Sequence, residues 1–154
     1  MSRRAVSPVI GVVLIVAVTV VLAAVVGAFV VGVGDAGNAP EAAITAKFGN
    51  EYPNQINLTH HSGDPLDVTK LTVRIFVDGE PLKHQPDVPF FAGKGFKSET
   101  SGPFNSNTAD KSWTAGETAS LTVASTTNSP QPSAGSRVTV KIYSEGEAVT
   151  TARV

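Results

Sequence analysis

An apolar stretch without a single charged side chain runs from Val6 to Val33 and constrains this chain more than any other feature. A helix of roughly 28 residues is about 42 Å long, whereas crossing the hydrocarbon core of a bilayer takes only about 20 apolar residues. Lipid tolerates no unpaired backbone group, so a helix is expected even though the stretch is rich in valine. We therefore expect a helix that resides in a membrane or among identical helices.

The residues that flank this stretch predict where the helix starts and how it is oriented. Ser7 is a good N-cap residue, and Pro8 suits the first helical position because its missing N–H costs nothing there. Arg3 and Arg4 precede the stretch, and Asp35 is the first charged residue after it. By the positive-inside tendency the N-terminus is cytoplasmic, and the C-terminal domain of this single-pass chain lies outside the cell.

The length of the stretch separates three interpretations. A cleaved secretory signal has an apolar region of about 7–15 residues that ends at an A-x-A-like site, and this stretch is about twice as long. The secretory signal is therefore disfavoured. An ordinary membrane anchor and a helix shared between membrane and polymer both remain open.

Small residues recur at helical spacing in the second half of the stretch. Ala23 precedes Gly27 by four positions, and Ala24, Ala28 and Gly32 form a second row. Such rows let helix backbones approach closely in an apolar medium. Because Gly and Ala are also common in membrane spans, both a packing seam for neighbouring helices and an ordinary span are consistent with this spacing.

The start of the chain resembles a known family. The sequence RAVSPVIGVVLIVA, from Arg4 to Ala17, resembles the N-terminal signature of archaeal type IV pilins, particularly those of haloarchaea, and the similarity continues through residues 21–29. The resemblance implies that a prepilin peptidase removes residues 1–5 as a short basic leader. Arg4 and Ala5 would then precede the cut, and Val6 would become the new N-terminus.

The resemblance also implies a function and partners. Members of the family retain the helix, which packs with copies of itself and other pilins in an extracellular filament built by an assembly machinery. Bacterial relatives carry a glutamate five residues into the mature chain, but Ile10 occupies that position here. Assembly of this chain therefore cannot depend on that charge. Residues 58–66, 71–73 and 113–117 weakly resemble the β-domain of the same family.

The remainder of the chain has the pattern of an all-β domain. Gly34, Gly37 and Pro40 predict that residues 34–42 form a hinge linker, followed by an extracellular β-domain at 43–154. Apolar residues alternate with polar ones in several short runs, at residues 44–48, 56–59, 71–77, 121–123, 138–143 and 149–154. Asp78-Gly79 and Glu145-Gly146 are hairpin-turn signals. We predict an antiparallel sandwich or small barrel of the immunoglobulin-like kind, with long loops over residues 81–112.

Composition excludes several kinds of protein. Two of the 12 basic residues are Arg3 and Arg4, so the rest of the chain carries ten basic residues against 13 acidic ones. This slight excess of acidic residues does not favour a surface that binds nucleic acid. Cysteine is absent, so neither a disulfide nor a thiolate metal site can support the β-domain.

No motif predicts catalysis, a cofactor or a metal. His60 and His61, with Asp64 and Asp67 nearby, suggest a metal cluster, but adjacent residues of a strand point to opposite faces and cannot easily share an ion. We interpret them as polar residues near a strand end. Trp113 is expected to be a core or edge aromatic residue.

Asn57-Leu58-Thr59 is the only glycosylation sequon in the chain. On a strand, Asn57 is predicted to point opposite to Ile56 and Leu58, toward solvent, so it is a candidate site for an N-linked glycan.

Two functions are compatible with the sequence. The first is a type IV pilin-like subunit of an archaeal filament, located in the membrane and then in the pilus, and involved in adhesion. The second is a single-pass membrane protein whose β-sandwich binds a ligand or partner at the cell surface. A secreted hydrolase is disfavoured because no paired acid and base residues are recognisable.

Overall fold

The computed structural model describes residues 6–33, 39–98 and 100–154. The chain divides into two compact units, Met1–Gly37 and Asn38–Val154. The first unit contains helix α1, Val6–Val33, which has neither an acidic residue in its first turn nor a basic residue in its last. Residues 1–5 and 34–38, which include the whole predicted leader and more than half of the predicted hinge, lie outside the described residues.

The second unit is built from short strands. Within residues 39–98 and 100–154 the strands are β1 (Ala42–Phe48), β2 (Gln55–Gly63), β3 (Leu66–Asp67), β4 (Leu71–Val77), β5 (Glu80–Pro81), β6 (Ser112–Trp113), β7 (Thr118–Thr122), β8 (Val138–Ser144) and β9 (Glu147–Arg153). Two 3-10 turns, Val68–Lys70 and Gly102–Phe104, lie between strands.

The strands form two main antiparallel sheets. One has the order β1-β2-β7 and the other β5-β4-β8-β9, while β3 and β6 form a separate two-stranded pair. If the separate pair β3 and β6 is left out, the first, second and fifth strands (β1, β2 and β7) form one sheet, and the third, sixth and seventh (β4, β8 and β9) belong to the other. An immunoglobulin-like sandwich divides its strands between two sheets in this way. The predicted helix followed by an antiparallel sandwich is confirmed. The alternative of a barrel is not, because the sheets do not close.

The alternation of buried and less buried residues along the strands determines which face of each strand forms the core. Along β4 and β8 the odd and even positions separate cleanly, so that one face of the sheet is buried and the other is not. The turns between strands follow the predicted chemistry, because Asp78 and Gly79 have φ values of 53° and 90°, and Glu145 and Gly146 have 50° and 91°. Two successive positive φ values are what a type I′ hairpin turn requires.

One end of the core is filled by an aromatic group. Trp113 and Phe104 are fully buried, with ring centroids 5.0 Å apart in an edge-to-face arrangement. The indole N–H of Trp113 donates to the Glu117 backbone carbonyl over 3.2 Å, which satisfies the polar atom of this buried side chain. Trp113 was predicted to be a core or edge aromatic residue, and it lies in the core.

The region 81–112 consists of long loops, as predicted, but these loops are packed onto the sandwich. Phe90 and Phe96 are buried and in ring contact, and Phe96 forms an isolated bridge with Val123. Buried Asn128 holds the loops together, since its amide accepts from the His84 N–H and donates to the carbonyls of His84 and Gly95. The loops are therefore fixed by both apolar burial and side-chain-to-backbone hydrogen bonds.

We expect Phe104→Ala to lower the free energy of unfolding by about 3–5 kcal/mol, because it leaves a cavity beside Trp113 that the sandwich cannot close. The measurement is thermal unfolding of the full-length chain in detergent, followed by Trp113 fluorescence. Phe91→Ala is the matched control, since Phe91 is 51% exposed. Equal losses in the two variants would contradict the assigned core.

Candidate functional site

Helix α1 exposes apolar side chains in every direction. Between residues 8 and 30 its large hydrophobic side chains are 47% to 71% exposed, with Val25 and Phe29 at the two limits. Residues Pro8–Val30 are long and apolar enough to cross a membrane, and none of this span is buried inside the chain. A helix that is apolar all round requires lipid or other helices around it.

The one polar side chain in the middle of this helix is satisfied within it. Thr19 donates its hydroxyl proton to the Val16 carbonyl over 2.8 Å. An unpaired hydroxyl in an apolar medium is costly, whereas a bonded one is tolerated. Thr19 is therefore compatible with either lipid or a helical bundle.

The small residues of the predicted seam fall on the second half of α1. Ala23, Ala24, Gly27 and Ala28 all lie within it, and Gly32 lies in its last turn. A Cβ built on Gly27 would meet nothing within 4 Å. Glycine in a helix costs about 1 kcal/mol relative to alanine, so nothing within the described chain explains its presence at this position.

The two histidines of β2 point to opposite faces, as predicted. His61 is exposed and its Nε2 lies 2.8 Å from the Thr45 hydroxyl. His60 is fully buried, with Nε2 3.0 Å from the Asp64 carbonyl oxygen and its ring centroid 5.7 Å from that of Trp113. The prediction of a polar strand end therefore describes His61, whereas His60 belongs to the aromatic end of the core. No group of three or more potential metal ligands is found within the described ranges.

Asn57 lies on β2, which is the central strand of its sheet. Its side chain is half-buried, and Oδ1 is buried without a hydrogen bond. The neighbours of Asn57 in the sheet are Lys47 and Ser120. The predicted orientation toward open solvent is therefore only partly realised, and glycosylation at Asn57 stays a prediction.

The four-stranded sheet carries a basic surface that no sequence pattern predicted. Arg74 on β4 lies directly opposite Lys141 on β8, and Arg153 on β9 is paired with the neighbouring Thr139. We call Arg74, Lys141 and Arg153 the basic face. The alternation along β4 and β8 already placed Arg74 and Lys141 away from the core, but their alignment depends on strand register, which the sequence alone does not reveal.

Carboxylates gather at one end of the same domain. Backbone hydrogen bonds join the loops there, from Asp64 to the Glu41 carbonyl at 2.8 Å and from Glu145 to the Lys70 carbonyl at 3.1 Å. We call this the acidic end, and its exposed carboxylates are Glu41, Asp64, Asp67, Asp110, Glu117, Glu145 and Glu147. The Lys70 ammonium lies 3.6 Å from the Glu145 carboxylate.

Asp67 closes the turn that follows β3. Its Oδ1 accepts hydrogen bonds from the Thr69 hydroxyl at 2.6 Å and from the Thr69 backbone N–H at 3.0 Å. These two bonds, the hydroxyl's first, lower the pKa of the Asp67 carboxyl because they favour its ionised form.

The N-terminal part of the chain is similar to a known protein family. Residues 4–44 match the family described as archaeal type IV pilin, N-terminal. The resemblance to archaeal type IV pilins is confirmed over this segment. The family is one of structural subunits, and its match includes the whole of α1.

One relative is similar to about half of the chain. An uncharacterized protein of Archaeoglobus fulgidus is 39% identical over 82 residues, which cover 52% of this chain and 56% of the relative. This chain therefore spans about half the length of that protein.

The pilin match begins at Arg4, one of the residues predicted to surround a processing site. Arg4 and Ala5 lie outside the described residues, whereas Val6 is the first residue of α1. Cleavage at this point stays a prediction.

We expect acid to weaken the contribution of Asp67 to stability. Because the folded-state pKa is lowered, the contribution is present above the ordinary Asp pKa and is lost as the pH falls through the folded-state value. Asp67→Asn removes the charge but keeps an acceptor. The melting temperature of the wild type should exceed that of this variant at pH 7, and the difference should shrink toward pH 2.

Asp87→Asn is the control, since it removes an equal exposed charge in the 81–112 loops. A difference between wild type and Asp67→Asn that does not change with pH would contradict the assigned role of Asp67.

Proposed function

We propose that this protein is a type IV pilin-like structural subunit of an extracellular archaeal filament, that it takes part in surface adhesion, and that it assembles through α1. One observation carries the proposal. The family match at residues 4–44 coincides with a helix whose residues 8–30 are exposed apolar surface on every side. A helix of this kind needs an apolar environment that its own described chain does not supply.

The mechanism is the transfer of one helix between two apolar environments. Lipid surrounds α1 in the precursor, and neighbouring helices replace the lipid in the filament. Since lipid already removes α1 from water, the free energy of assembly must come from close helix packing and from contacts between β-domains. Gly27 and the alanines beside it would allow that close approach.

The proposal defines location and partners. The precursor is a single-pass membrane protein with its β-domain outside the cell, and the assembled form is part of a pilus. Its partners are the membrane, copies of itself, other pilins, a prepilin peptidase and the assembly machinery. Its role is structural, and the loops of residues 81–112 are the part of the β-domain that we assign to subunit-specific contacts.

A membrane-anchored β-sandwich that binds a partner without forming a filament is the alternative. Such a protein also needs an apolar helix, but it has no need of leader removal. The match of the pilin family from Arg4 onward supports the filament subunit over this alternative.

We expect the mature protein to begin at Val6, because the proposed leader is removed after Ala5. Intact mass and N-terminal sequencing of the protein from an archaeal host would measure this directly. A host without prepilin peptidase is the control and should yield the uncut chain. An intact leader in both hosts would favour the anchored alternative.

We expect the double substitution Gly27→Leu and Ala28→Leu to reduce the yield of sheared filaments at least ten-fold, because bulky side chains keep neighbouring helices apart. Membrane insertion should persist, since leucine is favourable in lipid. Sedimented filaments and membrane-bound subunit are both quantified by immunoblot.

Val26→Leu and Val30→Leu form the matched control for this test. These residues lie in the same half of α1, and both are already large and exposed. Filament yield equal to the wild type in the Gly27 and Ala28 variant would refute a seam of small residues.

A further inference from the structure

The outward side of β4 and β8 carries cations and no carboxylate. Its residues are Thr72, Arg74 and Phe76 on β4 and Thr139, Lys141 and Tyr143 on β8. Arg74 and Lys141 face each other directly across the two strands. Like charges in directly opposite positions destabilise a sheet, so this pair is not explained by the stability of the isolated domain.

Among the described residues no carboxylate forms an ion pair with the basic face, although Asp78 lines the same cleft as Arg153. The ion pairs among the described residues are Lys70 with Glu145 and Lys97 with Glu51, and neither involves the basic face. The Lys141 ammonium lies 5.1 Å from the centre of the Phe76 ring, which holds it over the sheet without cancelling its charge.

The basic surface continues beyond the edge of the sheet. Arg74 lines an open cleft of about 930 Å³ that is also lined by Lys83 and Lys94 from the 81–112 loops. Asp87 is the one carboxylate among the described residues that line the cleft. A partner that covers the face and the cleft would therefore meet several cations at once.

The same chain carries the complementary surface. The acidic end presents seven exposed carboxylates, and the two lysines of those loops are Lys70 and Lys111. This end of the domain therefore carries more carboxylates than lysines, although the formal net charge of the whole chain is only −1.

We propose that the basic face receives the acidic end of a second copy of this chain. This inference rests on the proposed function, because neighbouring subunits in a filament bring the two surfaces together at high effective concentration. A second copy accounts for both surfaces, whereas an anionic polymer accounts only for the basic one. Complementary charges of this kind fix the register and the choice of partner more than they add affinity.

The first test reverses the charge of the basic face. The full-length double variant Arg74→Glu and Lys141→Glu is expected to yield at least ten-fold fewer sheared filaments than the wild type. Its membrane level and its N-terminus should be unchanged. Lys47→Glu is the matched control, because Lys47 is an exposed strand lysine on the other sheet. This control variant should form filaments at the wild-type yield.

The second test reverses the charge of two residues of the acidic end. Glu41 and Glu147 are suitable because their carboxylates accept none of the described hydrogen bonds, unlike Asp64 and Asp67, which cap backbone groups. The double variant Glu41→Lys and Glu147→Lys should also lose filaments. Combining both pairs of substitutions should restore the yield to within about two-fold of the wild type, since the two surfaces are again opposite in charge.

The outcomes separate the two proposals. Wild-type protein that never forms filaments would refute the proposed function. Wild-type filaments together with normal assembly of the Arg74 and Lys141 variant, or no recovery in the combined variant, would overturn this inference alone. The inference would also be overturned if the Arg74 and Lys141 variant assembled normally but no longer bound dextran sulfate beads. The partner of the basic face would then be an anionic polymer.

Discussion

Keeping the apolar surface of α1 away from water is the constraint on which the rest of this protein depends. A helix of this length exposes on the order of 1,500–2,000 Å² of apolar area, which corresponds to tens of kcal/mol at about 25 cal/mol/Å². None of the span Pro8–Val30 is buried inside the chain. The helix therefore has to remain in lipid or among other helices at every stage.

The β-domain, in contrast, must be stable without disulfide bonds, because the chain contains no cysteine. Its described core achieves this by burying residues from both sheets together with Trp113 and Phe104. Polar side chains then secure the irregular parts. Buried Asn128 joins the loops near His84 and Gly95, and the Gln85 amide bonds both backbone groups of Ile75 at the edge of β4.

The predictability of each feature follows from the range of the interaction that produces it. The helix and the hairpin turns depend on local residue types, so the apolar run and Asp78-Gly79 were sufficient to predict them. The burial of His60 and the packing of Phe90 and Phe96 depend on contacts between segments distant in the sequence. The alignment of Arg74 with Lys141 likewise depends on strand register, and no local pattern specifies which residue of β8 meets a given residue of β4.

Apolar packing and charge would have different tasks in a filament of this protein. Helix packing is strong, but α1 is apolar all round, so its side chains alone distinguish poorly between one rotation of a neighbour and another. The small residues of α1 reduce the number of favourable rotations, since only some faces of α1 permit close approach of a neighbouring helix. A basic face that accepts an acidic end would reduce this number further, because a wrongly rotated neighbour would place like charges together. We therefore infer that the helix supplies cohesion and that the β-domain supplies the register.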